Sequence, residues 1–222
     1  MITKSRMVEK ISGYRSGVLL DVGSGTGTFV KTMKDRGWDV TGLEPDSDVR
    51  NLAKKEYQLE LSGTEDIYRF PEKSFDVITL WHVLEHVQDL SSYIKLLSSL
   101  LKENGWIFIA VPNYTSYDAR VYKECWASYD VPRHIYHFSP VAMETLIKMN
   151  GMRIEKYKAM WFDSFYISLL SSKYKNEHLL SQDFRRKGKP KWISAIRIGI
   201  ISNLFALFNV KKCSSVIYVI SK

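Results

Sequence analysis

Hydrophobic and polar positions along this chain fall into blocks whose period changes. Segments at 18–22, 39–43, 75–80 and 106–111 have the length of strands, and all but 39–43 are mostly apolar, as in strands buried on both faces of a parallel sheet. Helix-period segments separate them at 4–12, 28–36, 47–55 and 91–101. In the last of these, apolar residues fall at 93, 94, 96, 97, 100 and 101, and Lys102-Glu103-Asn104-Gly105 is expected to close the helix. A short strand is expected near 60–61, a sixth at 152–161 and a seventh at 215–221. The fold class that follows is α/β: a doubly wound, mostly parallel seven-stranded sheet with an antiparallel last strand, helices on both faces, and ligands at the carboxyl ends of the strands. Residues 1–222 read as one domain, with a helical insertion at 163–213 between strands six and seven where a short turn would suffice.

The first strand runs into Asp21-Val22-Gly23-Ser24-Gly25-Thr26-Gly27, a glycine-spaced turn that lets backbone approach a ligand closely. The spacing narrows the cofactor. A dinucleotide fingerprint needs G-x-G-x-x-G/A, but Thr28 stands three positions after Gly25, and the third glycine, Gly27, comes one residue early. Asp21 would also repel a pyrophosphate.

That D-x-G-x-G-x-G pattern resembles the first motif of the class I S-adenosylmethionine-dependent methyltransferases, whose cofactor carries a cationic ammonium and sulfonium and no phosphate. The resemblance covers about residues 15–160. It implies a Rossmann-like methyltransferase fold and assigns cofactor contacts to Asp21, Gly23, Ser24, Gly25 and Gly27. It also assigns Glu44 and Pro45 at the end of the second strand, where the acid takes both ribose hydroxyls, and Thr64 and Glu65 in the adenine loop. Many members carry Asp where this chain has Thr64. Ser74-Phe75-Asp76 and Leu84-Glu85-His86 resemble the family's "SFD" and "LEH" elements, the latter typical of small-molecule members. Trp81 and His82, at the end of the intervening strand, are further cofactor contacts, with the Trp81 face available to the sulfonium.

The loop from Pro112 to Pro140, with its histidines and aromatics, resembles that of ubiquinone-pathway O-methyltransferases. His134 is the first choice for a base that takes a hydroxyl proton, with His82 and His86 as rivals, since a neutral imidazole near pH 7 suits that task. The Asn/Asp-Pro-Pro-aromatic sequence of enzymes acting on nucleobase amines is missing. Neither Cys125 in Glu-Cys-Trp nor Cys213 in Lys-Cys-Ser matches the cytosine-C5 nucleophile. No metal ligands are assigned.

Two distant cysteines argue against a disulfide scaffold, and the N-terminus lacks the apolar core of a signal peptide, so the cytoplasm is the expected compartment. Charge is uneven: residues 163–222 hold eleven Lys/Arg against three acids, a net of +8, whereas residues 1–162 hold 21 of each. The insertion combines Arg185-Arg186-Lys187-Gly188-Lys189-Pro190-Lys191 with an apolar stretch, Trp192 to Phe208, interrupted by Arg197 and Asn203. It is shorter than the about 20 clean residues of a membrane span, so an amphipathic helix is expected. Three roles stay open for it: peripheral contact with an anionic membrane through 185–208, a cap supplying a lipophilic pocket, or a homodimer interface. The function expected is methyl transfer, most simply O-methylation, to a small hydrophobic or membrane-associated acceptor. The alternatives are an RNA methyltransferase, although nucleic acid is not the expected partner, and a non-catalytic cofactor-binding or membrane-associated protein.

Overall fold

A computed structural model describes residues 1–182 and 192–222, with side chains described through 176 and from 192 onward. The basic run at 185–191 therefore lies outside the described residues. Contacts divide the chain into two compact units, Met1–Ala110 with Leu146–Lys156 and Tyr218–Lys222, and Val111–Thr145 with Tyr157–Ile217.

The first unit is built around one sheet. Its strands are β1 (Val18–Val22), β2 (Asp39–Leu43), β3 (Phe75–Trp81), β4 (Leu101–Pro112), β5 (Arg153–Ala159) and β6 (Ser215–Ser221), in the order β2-β1-β3-β4-β6-β5. β1 pairs in parallel with β2 and β3, and β3 with β4. The core residues Leu19, Leu20, Val77, Ile78 and Leu80 are all fully buried, which accounts for the continuous apolar runs. β6 runs against its neighbours: Lys222 Nζ donates to Leu101 O at the start of β4, and Arg153 Nε at the start of β5 donates to Ser221 Oγ.

Six strands stand among the described residues where seven were expected. Near 60–61 the chain makes only an isolated parallel bridge between Leu43 and Ser62, because it turns at once into the 3₁₀ turn Thr64–Arg69. Lys102-Glu103-Asn104-Gly105 is not a helix terminator either. Helix α4 (Leu90–Leu100) passes directly into β4, and those residues form an irregularity in which Phe75 and Val77 pair with Leu101 and Trp106.

Helices α1 (Ile2–Ser12), α2 (Thr28–Lys34) and α3 (Ser47–Tyr57) complete the first unit with α4. Their ends follow local chemistry. Asp46 caps α3 by accepting from Asp48 N at 2.8 Å and Val49 N at 3.3 Å, and Asp89 caps α4 by accepting from Ser92 N at 3.0 Å. Ile94, Leu97 and Leu100 form the buried stripe of α4.

The second unit holds α5 (Tyr117–Tyr122), most of α6 (Pro140–Met149), α7 (Asp163–Gln182) and α8 (Trp192–Phe208), so two helices occupy the segment between β5 and β6. Its polar centre is Asp118. This fully buried carboxylate accepts from Trp126 Nε1 at 2.8 Å, Ser202 Oγ at 2.7 Å and Ser214 Oγ at 2.6 Å, joining α5, α8 and the approach to β6. α8 is not the amphipathic helix expected. Its buried positions are Ala195, Gly199, Ser202 and Ala206, while Ile193, Leu204, Leu207 and Phe208 are exposed. At the closest approach the reason is steric: a Cβ on Gly199 would lie 2.9 Å from Phe165 Cδ1 and 3.3 Å from the Ser164 carbonyl oxygen, so no larger residue fits there against α7.

Replacing Asp118 with Ala strands three buried donors at once. Urea unfolding of the full chain should show a loss of about 2–5 kcal/mol, against about 1 kcal/mol for Ser214→Ala. A loss for Asp118→Ala no larger than for Ser214→Ala would mean that this carboxylate does not organise the unit.

Candidate active site

Asp21 stands one residue before the end of β1, where the parallel register sets it opposite Gly42 of β2 and Thr79 of β3. Thr79 Oγ1 donates to its carboxylate at 2.6 Å. Burial pushes the Asp21 carboxyl up to about 7, opposed by the hydrogen bonds from Thr79 and Ser24 and by the positive charge of Lys4. Beyond Asp21 the chain makes its turn. Gly23 and Gly25 have φ values of +70° and +52°, which L side chains adopt only with strain. A Cβ at Gly23 would lie 2.4 Å from Val83 Cγ2, whereas at Gly25 it would meet nothing within 4 Å. The first glycine is thus demanded by packing. The second opens onto space.

Glu44 closes the turn from the β2 side. Buried to 8% exposure, it accepts from Gly25 N at 2.8 Å through Oε2 and from Asp46 N at 3.2 Å through Oε1. Each oxygen keeps a further lone pair. Arg50 Nη1 fixes the following backbone by donating to Glu44 O at 2.7 Å and Pro45 O at 2.8 Å.

A cavity of about 930 Å³ opens at the carboxyl ends of these strands, near the upper end of the roughly 300–1,000 Å³ usual for small-molecule pockets. Of the residues selected from sequence, Gly23, Glu44, Pro45, Thr64, Glu65, His82 and His86 line it. Asp21, Ser24, Gly25, Gly27 and Trp81 do not, although Asp21, Ser24 and Gly25 build the turn beside it. Gly27 is the residue before α2, at φ +77°.

Trp81 carries a cation already, because Lys4 Nζ lies 4.4 Å from its ring centroid, and Phe29 meets it edge-on at 5.5 Å. Its indole N–H is buried without an acceptor among the described residues, a donor that a bound carboxylate or carbonyl would satisfy. That orphaned donor, the open space at Gly25 and the remaining lone pairs of Glu44 fit the amino-acid and ribose groups of the cofactor that the resemblance implies.

His82 follows β3 in the left-handed region, φ +59°, a strained conformation for a non-glycine residue worth about 1–3 kcal/mol. Its Nδ1 lies 3.4 Å from Oε1 of the buried Glu85. His134 belongs to the second unit. Its Nδ1 is 2.7 Å from the Ser128 carbonyl oxygen and its Nε2 is 3.8 Å from Asp130 Oδ2. A carbonyl only accepts, so Nδ1 holds the proton and Nε2 is the basic nitrogen of the neutral ring.

Several cavity residues escaped the sequence reading: Ile67 and Tyr68 in the 3₁₀ turn, Val83 and Val87 around Leu84-Glu85-His86, and Ser92, Tyr93 and Leu96 on α4. A helix that follows a family element and presents polar and aromatic groups on one face was the available signal. Burial raises the Tyr93 hydroxyl above its ordinary range, so it stays protonated as a donor.

A parallel sheet with a glycine turn after its first strand, an acid ending the second and a cavity at the carboxyl ends defines the Rossmann-like nucleoside-cofactor class. Within that class the chain belongs to the methyltransferase domain family, whose profile matches residues 4–157. The ubiquinone biosynthesis O-methyltransferase of Hydrogenovibrio crunogenus is 24% identical over 162 residues, 67% of this chain and 67% of that enzyme. The enzyme of the same name from Pasteurella multocida is 34% identical over 129 residues, 50% of this chain and 52% of that one. The chain spans about half the length of most of the curated relatives it matches. A solved SAM-dependent methyltransferase from Archaeoglobus fulgidus shares the fold, with a TM-score of 0.63, 19% identity and coverage of 100% of this chain and 93% of that one.

The folded state holds the Asp21 proton to about pH 7, while an unperturbed carboxyl releases it near 3.8. This group's stabilising contribution is therefore full below the lower value, shrinks as pH rises between the two, and is gone above the upper one. Melting temperature should fall across that window in the wild type and fall less in Asp21→Asn, which still accepts from Thr79. Equal slopes in the two proteins would remove Asp21 as the source.

Proposed function

We propose that this methyltransferase uses S-adenosylmethionine to methylate an oxygen of a small, hydrophobic, membrane-associated acceptor. The observation that carries the reading is the composition of one cavity. Glu44, fixed beside the glycine turn, shares it with an apolar wall of Ile67, Val83, Val87 and Leu96. Curated relatives named as ubiquinone O-methyltransferases support oxygen as the acceptor atom. Cytoplasmic protein working at a membrane surface is the setting consistent with such an acceptor.

When bound, the cofactor supplies an electrophilic methyl on a positively charged sulfur. The chain's residues have two tasks. The first is to hold: Glu44 takes the ribose hydroxyls, Thr64 and Glu65 the adenine, the Gly23–Gly27 turn and Trp81 the amino-acid end, and the apolar wall keeps water away. Holding reactants in line at near-attack distance supplies several kcal/mol without further chemistry. The second is to accept a proton. His134 Nε2 takes the acceptor's hydroxyl proton, and Asp130 steadies the imidazolium that results; His82, backed by Glu85, is the rival for this task.

Glu44→Ala should weaken S-adenosylmethionine binding by about 1–3 kcal/mol, roughly fivefold to 150-fold, in calorimetry; unchanged affinity would end the ribose assignment. His134→Ala should lower turnover far more than cofactor affinity. Should turnover survive in His134→Ala and fall in His82→Ala, the base is His82.

A further inference from the structure

We infer that the α7–α8 pair is a membrane-docking element that seats its outward side chains in one leaflet of an anionic bilayer. This deepens the reading of a membrane-associated acceptor and rests on it.

The pair is everted. The buried residues of the two helices are mostly small: Ser164, Ser168 and Ser171 beside Ile167 on α7, and Ala195, Gly199, Ser202 and Ala206 on α8. Most of the large apolar and aromatic side chains are exposed: Tyr166 66% and Leu169 42% on α7, Ile193 67%, Leu207 67% and Phe208 90% on α8, with Phe162 at 84% just before α7. Helices in water bury their large apolar groups, whereas helices packed in lipid bring small residues together because the surroundings are as apolar as leucine. Single exposed hydrophobics are ordinary, but a run of them over two adjacent helices marks an interaction surface. Within its seventeen residues α8 has one charged residue, Arg197.

Charge selects the occupant. Residues 163–208 carry eight Lys/Arg against three acids, so a second copy would bring two basic segments together, while an anionic lipid surface attracts basic residues near it by about 1 kcal/mol each. Lys173, Lys175 and Arg197 are exposed on the helices themselves. Length fixes the depth. Seventeen residues span about 26 Å at 1.5 Å each, short of the about 30 Å hydrocarbon core, and no described helix is long and apolar enough to cross a membrane. The helix pair lies in a leaflet.

The test is co-sedimentation of the full chain with vesicles of phosphatidylcholine, alone or mixed with phosphatidylglycerol, without cofactor or acceptor. Binding should be about tenfold or more stronger on the mixed vesicles and weaken with salt. Ile193→Ser with Leu204→Ser and Leu207→Ser should reduce it by about tenfold or more while circular dichroism stays unchanged. Should that variant misfold, Phe162→Ser and Phe208→Ser, at nearly fully exposed positions, replace it with the same expectation. Wild type that ignores both vesicles, variants that bind as wild type does, or a dimer in sedimentation that the substitutions dissolve without any vesicle binding would each overturn the inference. Methylation of a lipophilic acceptor in detergent, measured separately, distinguishes a failed docking surface from a failed functional reading.

Discussion

The hydrogen bond between Thr79 and the buried carboxyl of Asp21 sits where β1 and β3 lie side by side, and the geometry of the site hangs from it. A carboxyl placed in the middle of a parallel sheet must find a donor or stay protonated, and here it does some of each: Thr79 supplies the donor, and burial raises its affinity for a proton. The pairing ties β1 to β3 one residue before β1 ends at Val22. From that point the turn follows stepwise, with Ser24 Oγ bonded back to Asp21 O at 2.9 Å and Gly25 N held by Glu44. Two acids from adjacent strands thus shape one glycine turn from opposite sides, one through the sheet and one through the cavity wall.

Much of this was legible because it is local in sequence. The turn, Glu44 and the Thr64–Glu65 segment are read from spacing, and the structure gathers Gly23, Glu44, Pro45, Thr64 and Glu65 around a single cavity. What was not legible depends on distant partners. Nothing near Trp81 announces that Lys4, from the N-terminal helix, lies over its ring. Tyr93 and Ser92 read as ordinary positions of an amphipathic helix, since period shows which face is buried but not that a cavity lies beneath it. The strand near 60–61 failed for a related reason: two apolar residues do not make a ladder when the chain turns away after one bridge.

The basic and apolar insertion shows the same limit more sharply. Composition located it, and length argued against a membrane span, but an apolar run says nothing about which of its residues face a neighbour. In α8 that decision is made by backbone approach. Gly199 lies against the backbone of Ser164, and only positions in register with it can be buried. Most of the large residues are left outside by geometry, while Ile198 packs on the cluster around Ile167.

A helix pair that leaves its large side chains exposed forgoes most of the usual hydrophobic stabilisation, about 1.5–3 kcal/mol for each fully buried aliphatic side chain. Polar contacts take its place. Ser202 donates to the Asp118 carboxylate and Asn203 Nδ2 donates to the Trp161 carbonyl at 2.9 Å, beside an aromatic stack of Tyr117 on Phe205 at 5.2 Å. A hydrogen bond to a charged group contributes about 1.5–3 kcal/mol, so the Ser202 bond alone matches the burial of one leucine. The inner face of α8 therefore carries the folding energy, and the outer face is released from it. Because the outer side chains do not hold the helix in place, they can be as apolar as a binding surface requires.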